Sequence, residues 1–312
     1  MREFAALEAI FRHNGRLPSF VTIPPGDDMA EVTLGVGPHA PRLLVAADQV
    51  IEGRHVRRGE DLAIMARKAV ARNVSDVAAM AARPFATVAT VVLRSTCTDH
   101  EAREMLEGLR ASADVFGCPL VSGDLATHAD PAAPIVVSVT ILARPAHASG
   151  RVVTRRGSRE GDGIYVTGTI GGSLDADGRG RHLTFAPRVS EAHELHELLG
   201  SSLHAMIDVS DGLGQDAAHL AGNAESGDTT FVLAFDRIPI TPGRDPSKAL
   251  GDGEDYELLF TADREPPSRL SNGTPVTRIG RVDRRGADGL LVALETPDAV
   301  VDIARLGWEY GR

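Results

Sequence analysis

DLAIMARKAVARNVSDVAAMAARPFATVATVVL, residues 61–93, changes its hydrophobic period partway along. From Asp61 to Ala82 the apolar Leu62, Met65, Ala69 and Val77 recur at helical spacing, while Lys68, Arg72 and Asp76 stand at i, i+4 and i+8 on one polar stripe. This is an amphipathic helix with Asp76 near its C-terminal end. FATVATVVL (85–93) then carries no charge and is rich in β-branched residues, which predicts a buried strand. Downstream follow a helix over 99–116, a strand at PLVSGD (119–124) and an apolar strand over 134–143. Upstream, RLLVAADQV (42–50) is another β-branched run with an acid near its end. Helices alternating with strands put the chain in the α/β class.

Working outward, residues 1–16 read as a short helix and LPSFVTIPPGDDMA (17–30) as a loop punctuated by Pro18, Pro24, Pro25 and Gly26. RPAHASGRVVTRRGSREGDG (144–163) is rich in Arg, Gly and Ser and marks a domain boundary near 148, giving domains of 1–148 and 149–312. In the second domain GIYVTG (163–168) is a strand, PRVSEAHELHELLGS (187–201) a helix opened by proline, and HAMIDVSDGLGQDAAHLA (204–221) a strand turning into a helix. FVLAF, DYELLFTA and PVTRIGRV supply three more strands. No repeat period is present, which excludes solenoids and propellers.

Composition narrows the function. The 312 residues suffice for two domains at roughly 100–200 residues each. A formal charge of −10 argues against a chain held on nucleic acid or anionic membrane by bulk electrostatics. Only Cys97 and Cys118 are present, too few for a disulfide framework, which suits a reducing compartment. The N-terminus lacks the apolar core of a signal peptide, and neither long uncharged stretch approaches the roughly 18 residues needed to span a bilayer. A cytoplasmic protein is expected.

Acids recur beside small residues at strand ends: Gly26-Asp27-Asp28, Ala47-Asp48, Ser75-Asp76, Ser122-Gly123-Asp124, Asp208-Val209-Ser210-Asp211-Gly212 and Gly253-Glu254-Asp255. Singly, each is an ordinary turn or helix cap. Together they describe a carboxylate site for hard divalent cations, because α/β folds bind ligands beyond the carboxyl ends of strands. Clustered carboxylates need cations, and the cations must serve something anionic; a nucleoside triphosphate fits. The protein is not of the P-loop type, since its only lysines, Lys68 and Lys248, do not stand in GxxxxGK[ST]. Fixed positive charge must come from arginine, and 151–159 offers Arg151, Arg155, Arg156 and Arg159, unless that run is only a solvated linker.

Other features weigh less. HELHE (193–197) has Glu197 where a second zinc histidine would stand, so a surface helix is the better reading. GxSxG is absent and neither cysteine has a flanking histidine, leaving nucleophilic hydrolase chemistry without support. His55 is either an anion contact or a loop histidine. Trp308, the only tryptophan, packs in the core or stacks on a ligand.

GDDMA (26–30), ADQVIEGRHV (47–56), RKAVARNVSDVAAMAARP (67–84), SGD (122–124), VTRRGSREGDGIYVTG (153–168), MIDVSDGL (206–213) and GDGEDYELLF (251–260) resemble, in order, the motifs of the thiamine-monophosphate kinase family. The likeness spans nearly the whole chain. It implies the aminoimidazole ribonucleotide synthetase-like fold: an N-terminal α/β domain that pairs in a homodimer to make a β-barrel, then an α/β C-terminal domain. It further implies ATP and several Mg2+ ions acting on thiamine monophosphate, with direct in-line transfer of the γ-phosphoryl group. Matched position by position, Asp28, Asp48, Asp76, Asp124, Asp208 and Asp211 would hold magnesium. Gly123, Asp124, Arg155 and Ser210 would contact ATP, with Arg155 the only catalytic group besides the metal ligands. His55, Glu254 and Trp308 would contact the thiamine phosphate. The chain departs from the family at Ala46-Ala47, where Ser-Thr is usual, at Leu125 in place of Thr, at Asp252 in place of Gly, and in a shorter stretch GGSLDADGRGRHLTFAPRV. Another ATP-dependent synthase or ligase of this fold, or a non-catalytic nucleotide-binding relative, are the alternatives. The cysteine positions disfavour the selenophosphate-synthesis and hydrogenase-maturation branches.

Overall fold

The computed structural model describes residues 7, 10–37, 39–225, 227–287 and 289–308. Most of the helix expected over 1–16 lies outside them. Two sheets carry the fold. The first has six strands in the order β1-β2-β3-β6-β4-β5: β1 (Val21–Ile23), β2 (Ala30–Thr33), β3 (Arg42–Ile51), β4 (Ala82–Arg94), β5 (Leu120–His128) and β6 (Val136–Pro145). The second has seven in the order β13-β12-β9-β11-β7-β10-β8, comprising β7 (Gly163–Thr167), β8 (Leu203–Asp208), β9 (Thr229–Ala234), β10 (Leu258–Ala262), β11 (Val276–Arg284), β12 (Val292–Glu295) and β13 (Val300–Asp302). The helices are α1 (Leu62–Ala79), α2 (Asp99–Val115), α3 (Val189–Leu199), α4 (Leu213–Gly222) and the single turn α5 (Pro246–Ala249).

The α/β class holds, but the sheets are mixed rather than parallel. Only β4 with β5 and β9 with β12 run parallel. The β4–α2–β5 unit is the single crossover of the first sheet in which a helix joins parallel neighbours, and its helix begins at a capping box in which Thr98 and Glu101 satisfy each other's backbone N–H. Within one chain the first sheet is open, so the expected barrel is not closed by the described residues. The loop read over 17–30 contains β1, whose Val21-Thr22-Ile23 pairs with β2 between the prolines. Prolines at the flanks of a run leave its central N–H groups free to pair.

α1 forms as expected, with Asp61 at its N-cap accepting from the Ile64 N–H at 3.0 Å. Its surroundings differ from expectation. Met65, Ala69, Val74 and Val77 pack in the core under the first sheet with Val137, Val139 and Ile141. Ala78, at its end, joins Tyr165, Leu195 and Phe260 in a core of the second. At roughly 1.5–3 kcal/mol for each large apolar side chain buried, this double packing fixes the helix firmly. The polar stripe Lys68–Arg72–Asp76 is therefore not solvated; it faces the region where the two sheets meet.

Candidate active site

The acidic corners come together around α1. Asp208 ends β8, where Ser75 Oγ donates to its Oδ2 at 2.6 Å. Asp28 lies on the turn into β2, its side chain buried, and Arg155 Nη2 donates to its Oδ1 at 2.7 Å. With Asp76 these residues place carboxylate oxygens within 4.8 Å of one another. Burial is the main reason the Asp76 carboxyl is pushed well up, and the charges of Asp48, Asp208 and Asp28 add to it. Asp208 is raised to about 7, again by burial and then by Asp28. Asp27, whose carboxylate accepts from the Arg155 N–H at 3.1 Å, is raised to about 6 by burial and by Asp28. Asp28 Oδ2 is buried and has no hydrogen-bond partner.

An unpartnered carboxylate oxygen among mutually repelling carboxylates is a donor set that suits a hard divalent cation. At neutral pH part of this cluster carries protons that a cation must displace. Mg2+ binding is therefore expected to release protons and to tighten as pH rises from about 6 to 8. Calorimetry in two buffers of different ionisation enthalpy checks this; heats independent of buffer would contradict it.

Asp48 and Asp211 flank the trio. Asp48 pairs with Arg72 at 3.2 Å, and its N–H reaches Asn73 Oδ1. Asp211 sits on the turn from β8 into α4, within 4.8 Å of Asp216 and His219. Asp216 was not singled out in the sequence, although it stands five residues past Asp211. Its carboxylate takes the Asp211 and Gly212 N–H groups at 3.1 and 3.0 Å, and burial raises its pKa well above the ordinary value.

Asp124 stands apart. The register sets Asp48, Val139, Ala89 and Gly123 in one cross-strand row, and Gln49, Ser138, Thr90 and Asp124 in the next. Successive rows face opposite sides of a sheet, so Asp124 points to the exposed face, three strand spacings or about 14 Å from Asp48's strand. Gly123 lies so close to β4 that a Cβ would stand 2.1 Å from the Ala89 carbonyl oxygen. Of the boundary arginines, Arg155 enters the cluster, Arg151 bonds the Gly200 and Leu203 carbonyls, and Arg159 pairs with Glu225 on the surface.

His55, Ser210, Asp211, Glu254 and Trp308 line one cavity of about 400 Å³ with Arg54, Arg72, His182 and Tyr256. His55 Nδ1 accepts from the Ile51 N–H at 2.9 Å, and burial, then Arg72, pulls its pKa to about 3. It is a neutral imidazole, so its proton sits on Nε2. Glu254 adopts φ 55°, a left-handed bend, and its N–H bonds the Ser210 carbonyl at 2.7 Å. Burial pushes its carboxyl up, but contact with His182 and the charge of Lys68 outweigh this and hold it at about 2. The Trp308 N–H is tied to the Asp211 carbonyl at 2.8 Å, and the Arg54 guanidinium lies 4.5 Å above the indole. HELHE lies on α3, where His193 Nε2 bonds the Ala82 carbonyl and His196 stacks on His147.

The arrangement joins a carboxylate cluster to a cavity with an ionised acid and an aromatic face. Comparison with known proteins agrees. Residues 26–144 match the family described as AIR synthase related protein, N-terminal domain. The thiamine-monophosphate kinase of Rhodopirellula baltica is 34% identical over 280 residues, 84% of each chain. That of Methanospirillum hungatei is 32% identical, covering 86% of this chain and 88% of its own. Among solved structures, one described as AaThiL complexed with AMPPCP and TMP superposes with a TM-score of 0.76 at 25% identity, covering 99% and 97% of the two chains. The thiamine-monophosphate kinase of Stenotrophomonas maltophilia superposes with a TM-score of 0.69 at 29% identity over 96% and 99%. Likeness of this degree extends through both sheets and not through one shared domain, so the chain belongs to the thiamine-monophosphate kinase family.

Proposed function

We propose that the chain transfers the γ-phosphoryl group of ATP to thiamine monophosphate, giving thiamine diphosphate and ADP. The observation that carries this reading is the carboxylate cluster of Asp28, Asp76 and Asp208 directly beside a cavity holding Glu254 and Trp308. Asp28, Asp48, Asp76, Asp208 and Asp211 would hold Mg2+, which when bound supplies neutralisation for the triphosphate. Arg155 is the fixed cation of the cluster and the partner for the transferred group. A phosphate monoester has a second pKa of about 6, so the acceptor oxygen is already anionic and no general base is required. With the aspartates taken up as metal ligands and the acceptor oxygen already anionic, the reading is a direct in-line transfer.

In the cavity, the Glu254 carboxylate and the Trp308 ring suit a cationic heteroaromatic group, while Ser210 and Asp211 lie at the end toward the cluster. Arg54 occupies the indole face and must share or yield it. Replacing Trp308 by alanine is expected to raise KM for thiamine monophosphate about tenfold with KM for ATP nearly kept. Steady-state kinetics with each substrate varied would show it, and equal changes in both constants would count against stacking.

The homodimer is part of the same proposal. The first sheet leaves Phe85, Val121 and Leu125 exposed, the last two on its open edge strand β5. A second copy along the free edge of β5 would cover Val121 and Leu125 and lie beside Gly123 and Asp124, where a nucleotide contact could be completed. We likewise keep the domain boundary near 148, where the chain passes between the sheets, and a cytoplasmic location, supported by two unpaired cysteines. No helix of the described residues is long and apolar enough to cross a membrane. The test is direct: pure protein with ATP, Mg2+ and thiamine monophosphate must yield thiamine diphosphate and ADP in equal amounts. ATP consumption without that product would sink the reading.

A further inference from the structure

Lys68 is one of only two lysines in the chain, and its side chain is completely buried. The ammonium meets three separate segments. It donates to the His55 carbonyl at 2.7 Å, after β3, and to Glu254 Oε2 at 2.6 Å, on the left-handed bend before β10. It also lies 2.6 Å from His182 Nδ1, in the short turn that precedes α3. His182 Nδ1 and Glu254 Oε2 are themselves 2.6 Å apart. A nitrogen and a carboxylate oxygen sit that close only with a proton between them, so His182 Nδ1 donates to Glu254 Oε2 beside the Nζ hydrogen bond to the same oxygen. A buried ammonium is tolerated only where its donors are met, and here the His55 carbonyl and the Glu254 carboxylate meet it, with His182 packed against both groups.

We propose that Lys68 is the positioning residue for recognition of the phosphate acceptor: it assembles the cavity wall from His55, His182 and Glu254 and keeps Glu254 ionised toward the bound ring system. It acts through Glu254 and not on the transferred group. The helix sets that division, because Asp76 lies eight residues further along α1, about 12 Å at 1.5 Å per residue. This inference rests on the kinase reading above. It also gives the shorter loop a role, since His182 belongs to the stretch in which this chain departs from the family pattern.

Two further observations support it. The Glu254 side chain is 24% exposed, on the cavity, although the ammonium beside it is fully enclosed. The ammonium is pulled down to about 8 by burial, against the charge of Glu254, with Arg72 lowering it further. The charged and titratable groups facing it are Glu254, His182, His55 and Arg72. Acceptor recognition should then weaken as pH rises through about 8.

The experiment uses the full chain with ATP, Mg2+ and thiamine monophosphate, comparing wild type, Lys68→Met, Glu254→Gln and the double variant across pH 6.5–9.5. Lys68→Met is expected to raise KM for thiamine monophosphate at least about tenfold, with kcat falling far less and KM for ATP within about threefold. The alkaline fall in kcat/KM for thiamine monophosphate should disappear in Lys68→Met. The double variant should match Glu254→Gln alone. Additive losses in the double variant, or equal rises in both KM values, would overturn the proposal. Should Lys68→Met not fold, the wild-type pH profile decides: no alkaline limb, or a limb kept in Glu254→Gln, refutes it. Wild-type protein that forms no thiamine diphosphate refutes the kinase reading itself. An active wild type with an unchanged acceptor KM in Lys68→Met removes only the role given to Lys68.

Discussion

Asp76→Asn is expected to lower turnover by about a thousandfold while leaving the cation-free protein at least as stable as the parent. The two effects have one cause. Asp76 is crowded by Asp48, Asp208 and Asp28, so its ionised form is unfavourable without a cation and useful with one. A carboxyl whose folded-state pKa lies above its unfolded value stabilises the fold while protonated, and that contribution is lost as pH rises through the folded value. For Asp208 the window runs from about 4 to about 7, and Asp76 is shifted in the same direction. Melting in chelator should therefore fall between pH 5 and 8 for the wild type and fall less for Asp76→Asn. Added Mg2+ should raise the wild-type midpoint more than the variant's at pH 8. A variant that melts well below the parent in chelator, or that turns over normally, would defeat the argument.

Arg155→Leu should do the opposite to stability. Its guanidinium holds Asp28 at 2.7 Å, its N–H holds Asp27, and Asp208 lies in its field. Removing the cation leaves buried carboxylates uncompensated, a loss of about 3–5 kcal/mol by analogy with other broken buried pairs. Turnover should fall by at least about a hundredfold, because on the proposed mechanism the same group neutralises the transferred phosphoryl charge. Urea unfolding with and without Mg2+ separates the two effects: Mg2+ should recover part of the stability and little of the activity. Unchanged unfolding in chelator would show that Arg155 is not the cluster's counter-charge.

What could be read beforehand follows from how local each feature is. The helix carrying Asp76 and the strand–turn–helix around Asp211 depend on short-range patterns, and the structure forms them where those patterns lie; of the acids expected at strand ends only Asp208 ends one, Asp28 preceding β2 and Asp48 and Asp124 lying within β3 and β5. Asp124 obeys the same local pattern, yet the register of β5 on β4 turns it to the opposite face; cross-strand register is not written in a single strand. Lys68 and Arg72 read as one polar stripe of an amphipathic helix, but the partners that bury them, Asp48, His55, His182 and Glu254, come from distant segments that helical spacing does not reveal. Asp27 and Asp28 are neighbours in sequence, and only the position of Arg155 separates their tasks. β1 was hidden by its prolines.

Because α1 is gripped by the cores of both sheets, the two halves of the molecule cannot swing apart without tearing hydrophobic packing on either side. Access to the cavity is then left to the segments that line it, around Arg54 and His182.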